Sequence, residues 1–146
     1  MKIRLTYILL FFVFSSKAQF NEQKGAVAEG FDVVSYFQGK PKKGTSALKV
    51  TYADAEFRFS SEENLKAFKN NPKKYIPQYG GYCAYAMADG KKVKVNPNTF
   101  EIREDKLYLF YNSWGNNTLE LWEEEGAEAL RKNADANWQK ITAKHR

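Results

Sequence analysis

The chain predicts an α+β fold: a small single domain with two β-hairpins forming an antiparallel sheet, a short helix after the first hairpin, and C-terminal helices. Three observations carry this expectation. Strand-like alternation appears in two pairs of segments, around residues 48–59 and 99–111, and helical spacing follows each pair. Nowhere do single strands and helices alternate in the way that a parallel sheet with crossover helices requires.

The elements follow in order from period and punctuation. Phe31 to Phe37 is a short apolar stretch, and Gly39-Lys40-Pro41 turns the chain away from it. Leu48 to Tyr52 alternates, Asp54 and its neighbours make a turn, and Glu56 to Phe59 alternates again, which reads as a hairpin. Ser60 and Glu63 have capping-box spacing for a helix that carries Leu65 and Phe68 on one face, and Pro72 stops it. The second hairpin runs from Thr99 to Arg103, turns at Glu104-Asp105, and returns along Lys106 to Tyr111 with Leu107, Leu109 and Tyr111 on one face. Asn117 or Thr118 then caps a helix holding Leu119, Trp122 and Leu130, broken near Gly126. Ala134, Trp138 and Ile141 continue a helical face to the C-terminus, where Asp135 and Asn137 are suited to holding a helix end.

The first residues look like a Sec-type export signal. Lys2 and Arg4 precede an apolar run from Leu5 to Phe14, and Ser16-Lys17-Ala18 places small residues where a signal peptidase needs them. The run of about ten residues is shorter than the roughly 20 that a bilayer-spanning helix needs. Cleavage after Ala18 leaves no membrane anchor and a periplasmic or secreted protein. It also lowers the formal charge from +6 to +3, since Lys2, Arg4 and Lys17 leave and no acid does. The remaining lysines, at 40, 42, 43, 73, 74, 91, 92 and 94, come in small groups that read first as solvated faces. They lack the dense basic stripe of a nucleic-acid binder, and that partner class is set aside. Residues 19–29 are small and polar and read as a flexible lead-in.

Chemistry concentrates in Gly80-Gly81-Tyr82-Cys83-Ala84-Tyr85-Ala86-Met87, which holds the single cysteine. A lone thiol in an oxidising compartment makes no internal disulfide, so it is packed, paired with another molecule, or used in chemistry. The two glycines permit backbone angles closed to other residues, and Ala84 to Asp89 suits a short helix ended by Gly90. Cys83 then lies at a helix N-terminus, where the partial positive charge favours thiolate. Met87, four residues on, places a thioether on the same face, a pair that suits copper as Cu(I) or another soft metal ion. The weightier alternative for Met87 is core filler, and for Cys83 a small buried hydrophobe. Tyr79, Tyr82 and Tyr85 either line a ligand cleft or fill the core edge. Asp32 orients a ligand or caps a turn.

Several blocks in series resemble the YHS domain family. They are Asp32-Val33-Val34-Ser35-Tyr36-Phe37, then Phe57-Arg58-Phe59-Ser60-Ser61-Glu62-Glu63-Asn64, then Pro77-Gln78-Tyr79-Gly80-Gly81-Tyr82-Cys83-Ala84-Tyr85, followed by Val95-Asn96-Pro97, Leu107-Tyr108-Leu109 and Ala134-Asp135-Ala136-Asn137-Trp138. The closing block is similar to the exported bacterial subgroup. The resemblance divides the chain into a signal peptide (1–18), the lead-in (19–29) and a YHS-like domain (30–142). It also implies metal handling, through kinship with cysteine-containing metal-binding domains. The chain departs from that pattern at Ser60, Ser61 and Asn64, where those relatives carry cysteines, and its single histidine is His145. An inherited metal role therefore rests on Cys83, with Met87. Asp32 and Tyr36 match the family's opening block and join Cys83, Tyr79, Tyr82 and Tyr85 as candidate ligand-binding residues.

Three functions remain open. The first is a non-enzymatic exported binding module for a soft metal ion or a small ligand at Cys83. The second is a thiol-dependent redox protein, which needs an external partner thiol. The third is a structural or interaction domain with an inert thiol. A protein partner or a Cys83-linked dimer is compatible with the single cysteine.

Overall fold

Four two-residue turns set the strand layout. In a computed structural model describing residues 20–144, they join β1 (Glu22–Gln23) to β2 (Ala26–Val27), β3 (Thr45–Tyr52) to β4 (Ala55–Phe59), β5 (Asn96–Arg103) to β6 (Lys106–Phe110), and β7 (Asn112–Ser113) to β8 (Asn116–Asn117). Both central residues of every turn have positive φ: Lys24 and Gly25, Ala53 and Asp54, Glu104 and Asp105, Trp114 and Gly115. That is the type I′ arrangement, whose twist matches that of paired strands. The leader, the cleavage position after Ala18, Gln19 and His145 lie outside the described residues. Among the described residues no helix is long and apolar enough to cross a membrane.

The fold is α+β, with both expected hairpins present, but they do not join into one antiparallel sheet. Each hairpin is its own two-stranded ladder. Register shifts between Thr45 and Lys49 and between Asn96 and Phe100 interrupt the long ladders, and irregularities of this kind bend a strand out of line. Side chains then join what backbone bonds do not. Where the β3 end meets β4, Gly44 donates its N–H to the Gly30 carbonyl at 2.8 Å, and a Cβ on Gly44 would sit 2.4 Å from the Arg58 backbone. Only glycine fits that approach.

Strand β6 divides the core. Leu107 and Leu109 face one cluster with Val27, Val33, Tyr36, Phe57, Phe59, Phe68 and Cys83, and the half-buried Tyr111 packs against the same cluster. Tyr108 and Phe110 face a second cluster with Tyr79, Met87, Trp122 and Ala134. Alternate side chains of a strand point to opposite faces, so a strand buried on both sides serves two cores.

Helix α1 (Glu62–Asn70) is capped by Ser61, whose Oγ accepts from the Asn64 N–H at 3.1 Å. The expected cap, Ser60, is instead drawn to Asp32. Pro72 opens the short α2 (Pro72–Tyr75) at a position where its missing N–H costs nothing. Asn117 caps α4 (Thr118–Glu125), Gly126 breaks the helix at φ 104°, and α5 (Ala127–Ala143) follows.

Residues 20–29 are not a loose lead-in. Ala26, Val27 and Ala28 are buried, and Phe20 meets Phe57 edge to face at 5.4 Å. Asn21 donates its backbone N–H to the Gly80 carbonyl at 2.8 Å and its side-chain amide to the Gly81 carbonyl at 3.2 Å. The segment's polar residues, Glu22, Gln23 and Lys24, sit on the exposed side of the hairpin, while its small apolar residues fill the core.

Candidate functional site

Cys83 is the N-cap of α3 (Ala84–Met87), fully buried, and held on both sides by its backbone. Its N–H donates to the Val93 carbonyl at 2.9 Å, and its carbonyl accepts from the Met87 N–H at 3.0 Å. The Gly80-Gly81 turn delivers the chain there with both glycines at positive φ, 61° and 85°. Tyr79, just before them, also has positive φ, at 57°, a strained state for a tyrosine that its buried side-chain contacts hold in place.

The thiol faces the Thr118 hydroxyl at 3.4 Å. Thr118 Oγ1 in turn lies 2.6 Å from the Tyr111 carbonyl, which can only accept. A hydroxyl carries one hydrogen, so with that hydrogen spent on Tyr111 the cysteine S–H is the donor toward Thr118. The contact therefore runs from the cysteine to the threonine. Four residues of helix also align few peptide dipoles.

Cys83 and Met87 are both fully buried and pack into separate clusters of the core. Among the described residues no group of three or more His, Cys, Asp or Glu is placed to hold a metal ion.

The tyrosines expected to line a cleft are mostly committed to protein partners. Tyr79 donates to Asp135 Oδ1 at 2.8 Å, and burial, reinforced by that hydrogen bond, holds its phenol far above the usual range. Tyr85 donates to Glu125 at 2.8 Å, which pushes its phenol up as well. Tyr36 is buried, with its phenol raised chiefly by burial. It donates to the Pro97 carbonyl at 2.5 Å and meets Phe100 edge to face. Tyr82 is half-buried between Trp138 and the Lys92 ammonium, which lies 5.6 Å from its ring centre.

Asp32 is a fully buried junction. Oδ1 accepts from the Val34 and Ser35 N–H groups at 2.9 and 3.3 Å, capping the 3₁₀ turn Ser35–Gln38. Oδ2 accepts from the Ser60 N–H at 2.9 Å, the Ser60 hydroxyl at 2.7 Å and the Asn64 amide at 2.8 Å. Five donors fill both oxygens, and none is left to orient a ligand. Asn137, on α5, gives its amide to the carbonyls of Met87 and Ala88 at 3.0 and 3.1 Å, so it closes the C-terminal end of the cysteine helix.

An open cleft of about 360 Å³ lies elsewhere, between the β1–β2 hairpin, Lys43 and the strands β5 and β7. Phe31, Val95 and Pro97, all buried, give its lining a small apolar share, together with the half-buried Tyr111. Its polar lining includes Lys24, Glu29, Lys43, Lys94, Asn98 and Ser113. Sequence reasoning placed Lys43 and Lys94 among solvated lysine groups. The signal that they share a cleft is long-range, carried by the Phe31–Lys43 bridge and the β5–β6 register.

No family model, curated protein or solved structure matches this chain. The likeness to the YHS family therefore stands on the sequence blocks themselves.

Proposed function

We propose that this chain is an exported YHS-like binding module that holds a small ligand at its surface cleft, with Cys83 and the surrounding tyrosines serving as frame rather than as ligands. One contrast carries this reading. At the Cys83 block the thiol and the hydroxyls of Tyr79 and Tyr85 are already spent on Thr118, Asp135 and Glu125. In the cleft, mainly polar residues with a small apolar share line a space within the size range of small-molecule sites.

The test is alkylation of Cys83. On the folded protein at neutral pH, iodoacetamide is expected to modify the thiol at least about 100-fold more slowly than in denaturant, because the sulfur is shut in the core. Modification at the unfolded rate, or a stoichiometric Cu(I) adduct in native mass spectrometry that the Cys83→Ser variant loses, would overturn the reading. Either result would return the site to the cysteine.

A further inference from the structure

We infer that the cleft binds a small organic anion, a carboxylate or phosphate group carried on a compact apolar body. This deepens the binding-module reading and rests on it. Three ammonium groups line the space against one carboxyl group, Glu29, which is already engaged by Lys24 at 3.4 Å. Lys43 and Lys94 have no carboxylate within ion-pair distance among the described residues, so two positive charges face the cleft uncompensated. The Asn98 amide and the Ser113 hydroxyl add neutral donors with no side-chain bond of their own. Lysine ammonium groups and such donors are the chemistry that holds carboxylate or phosphate oxygens, and a cleft lined by one sign of charge concentrates the opposite ion.

The apolar residues specify the rest of the ligand. Phe31, Val95 and Pro97 add a small apolar share to a mainly polar lining, a patch that a free inorganic ion does not use. Beside it, Ser113 leads directly into Trp114, which stands 98% exposed at the tip of the β7–β8 turn. An indole left in water at a tight turn, where its own backbone is held at φ 53°, gains nothing for the fold. Such an exposed indole, one residue from the cleft lining, is free to meet a bound ring.

The experiment is an amide and indole NMR titration of the full folded protein with four probes: benzoate, phenyl phosphate, inorganic phosphate and benzyl alcohol. Benzoate or phenyl phosphate is expected to shift Lys43, residues 94–98 and residues 112–114 saturably, and whichever binds more tightly identifies the headgroup. Inorganic phosphate should bind the same residues at least about tenfold more weakly for want of an apolar body, and benzyl alcohol should bind more weakly still for want of charge. Replacing both Lys43 and Lys94 by alanine should weaken the preferred anion at least about tenfold and flatten its salt dependence. Replacing the exposed Lys66 and Lys69 of α1, which removes the same charge elsewhere, should leave it unchanged.

Equal binding of the alcohol, equal loss in the α1 control, or shifts spread over every lysine group would overturn the proposal. Failure here with Cys83 still protected overturns the anion alone and leaves a cleft for an uncharged ligand. Rapid alkylation of Cys83 overturns the parent reading whatever the titration shows.

Discussion

The two halves of this molecule are fastened by different chemistry. In the N-terminal half, one buried carboxyl group at Asp32 gathers three backbone N–H groups, a hydroxyl and an amide, all uncharged, from the segment after it, the end of β4 and the start of α1. In the C-terminal half, charges alternate along a half-exposed chain that runs from Tyr79 to Asp135, Arg131, Glu128, Arg103 and Glu101, and ends at the Trp122 indole. It ties β5, α4 and α5 to the turn before Cys83. Among the described residues the buried side-chain nitrogen left without a partner is Arg103 Nε, in the second system. Neutral donors can be matched one to one around a fixed acceptor, whereas a guanidinium brings five hydrogens and rarely finds a place for each. The first device is specific and brittle; the second tolerates loss because water reaches most of its members.

Three substitutions grade that contrast. The largest effect is expected for Asp32→Ala, which strands several buried donors at once. About 3–5 kcal/mol of unfolding free energy should be lost in urea titration, with little dependence on salt. A loss below about 1 kcal/mol would show that the donors find water or each other, and the comparison would collapse. Glu101→Ala should cost less, about 1–3 kcal/mol, by leaving the buried Trp122 N–H without its acceptor and Arg103 with Glu128 alone.

Arg131→Ala should have the smallest effect and a pH signature. Arg131, first through its hydrogen bond, holds the Glu128 carboxyl below its ordinary value of 4.5. A carboxyl depressed in the folded state stabilises the fold above its unfolded value, and that contribution is lost as pH falls through the folded value. The wild type should therefore lose more thermal stability than Arg131→Ala between about pH 6 and about pH 3. The difference should shrink in about 1 M NaCl, where screening lengths fall to roughly 3 Å. Glu56, held low by Arg58 on β4, keeps its own acid sensitivity in both proteins and so does not blur the difference.

Legibility in the sequence followed the range of the interactions. The long hairpins, the caps at Asn117 and near Ser60, the break at Gly126 and the cysteine helix are local features, and local pattern placed them within about three residues, the starts of β3 and β5 being the furthest off. Two short hairpins escaped because strands of two residues show no alternation, although Lys24-Gly25 and Trp114-Gly115 carried the turn signal. Residues 20–29 were misread because half of them are polar, and the Gly80-Gly81 turn that Asn21 grips is 60 residues away. Asp32 and Cys83 show the same limit. That each was confined to a few roles was legible, but three of the five donors to Asp32 lie about 30 residues on, and Thr118 is 35 from Cys83. Nothing local distinguishes a thiol awaiting a metal from one facing a threonine. The cleft lysines were seen as charges and not as a site, because their convergence depends on chain segments that only the folded hairpins bring together.

The seal over Cys83 also has a place in time. Thr118, which receives the thiol, and Asn137, which closes its helix, belong to the last third of the chain to leave the ribosome. Earlier segments can form their hairpins in microseconds from adjacent residues alone. The sulfur's hydrogen-bond partner nevertheless comes only with α4, after the strands that pack around it. The C-terminal helices thus complete the cysteine's surroundings last, and a chain cut short before residue 118 would lack the hydroxyl that its thiol faces.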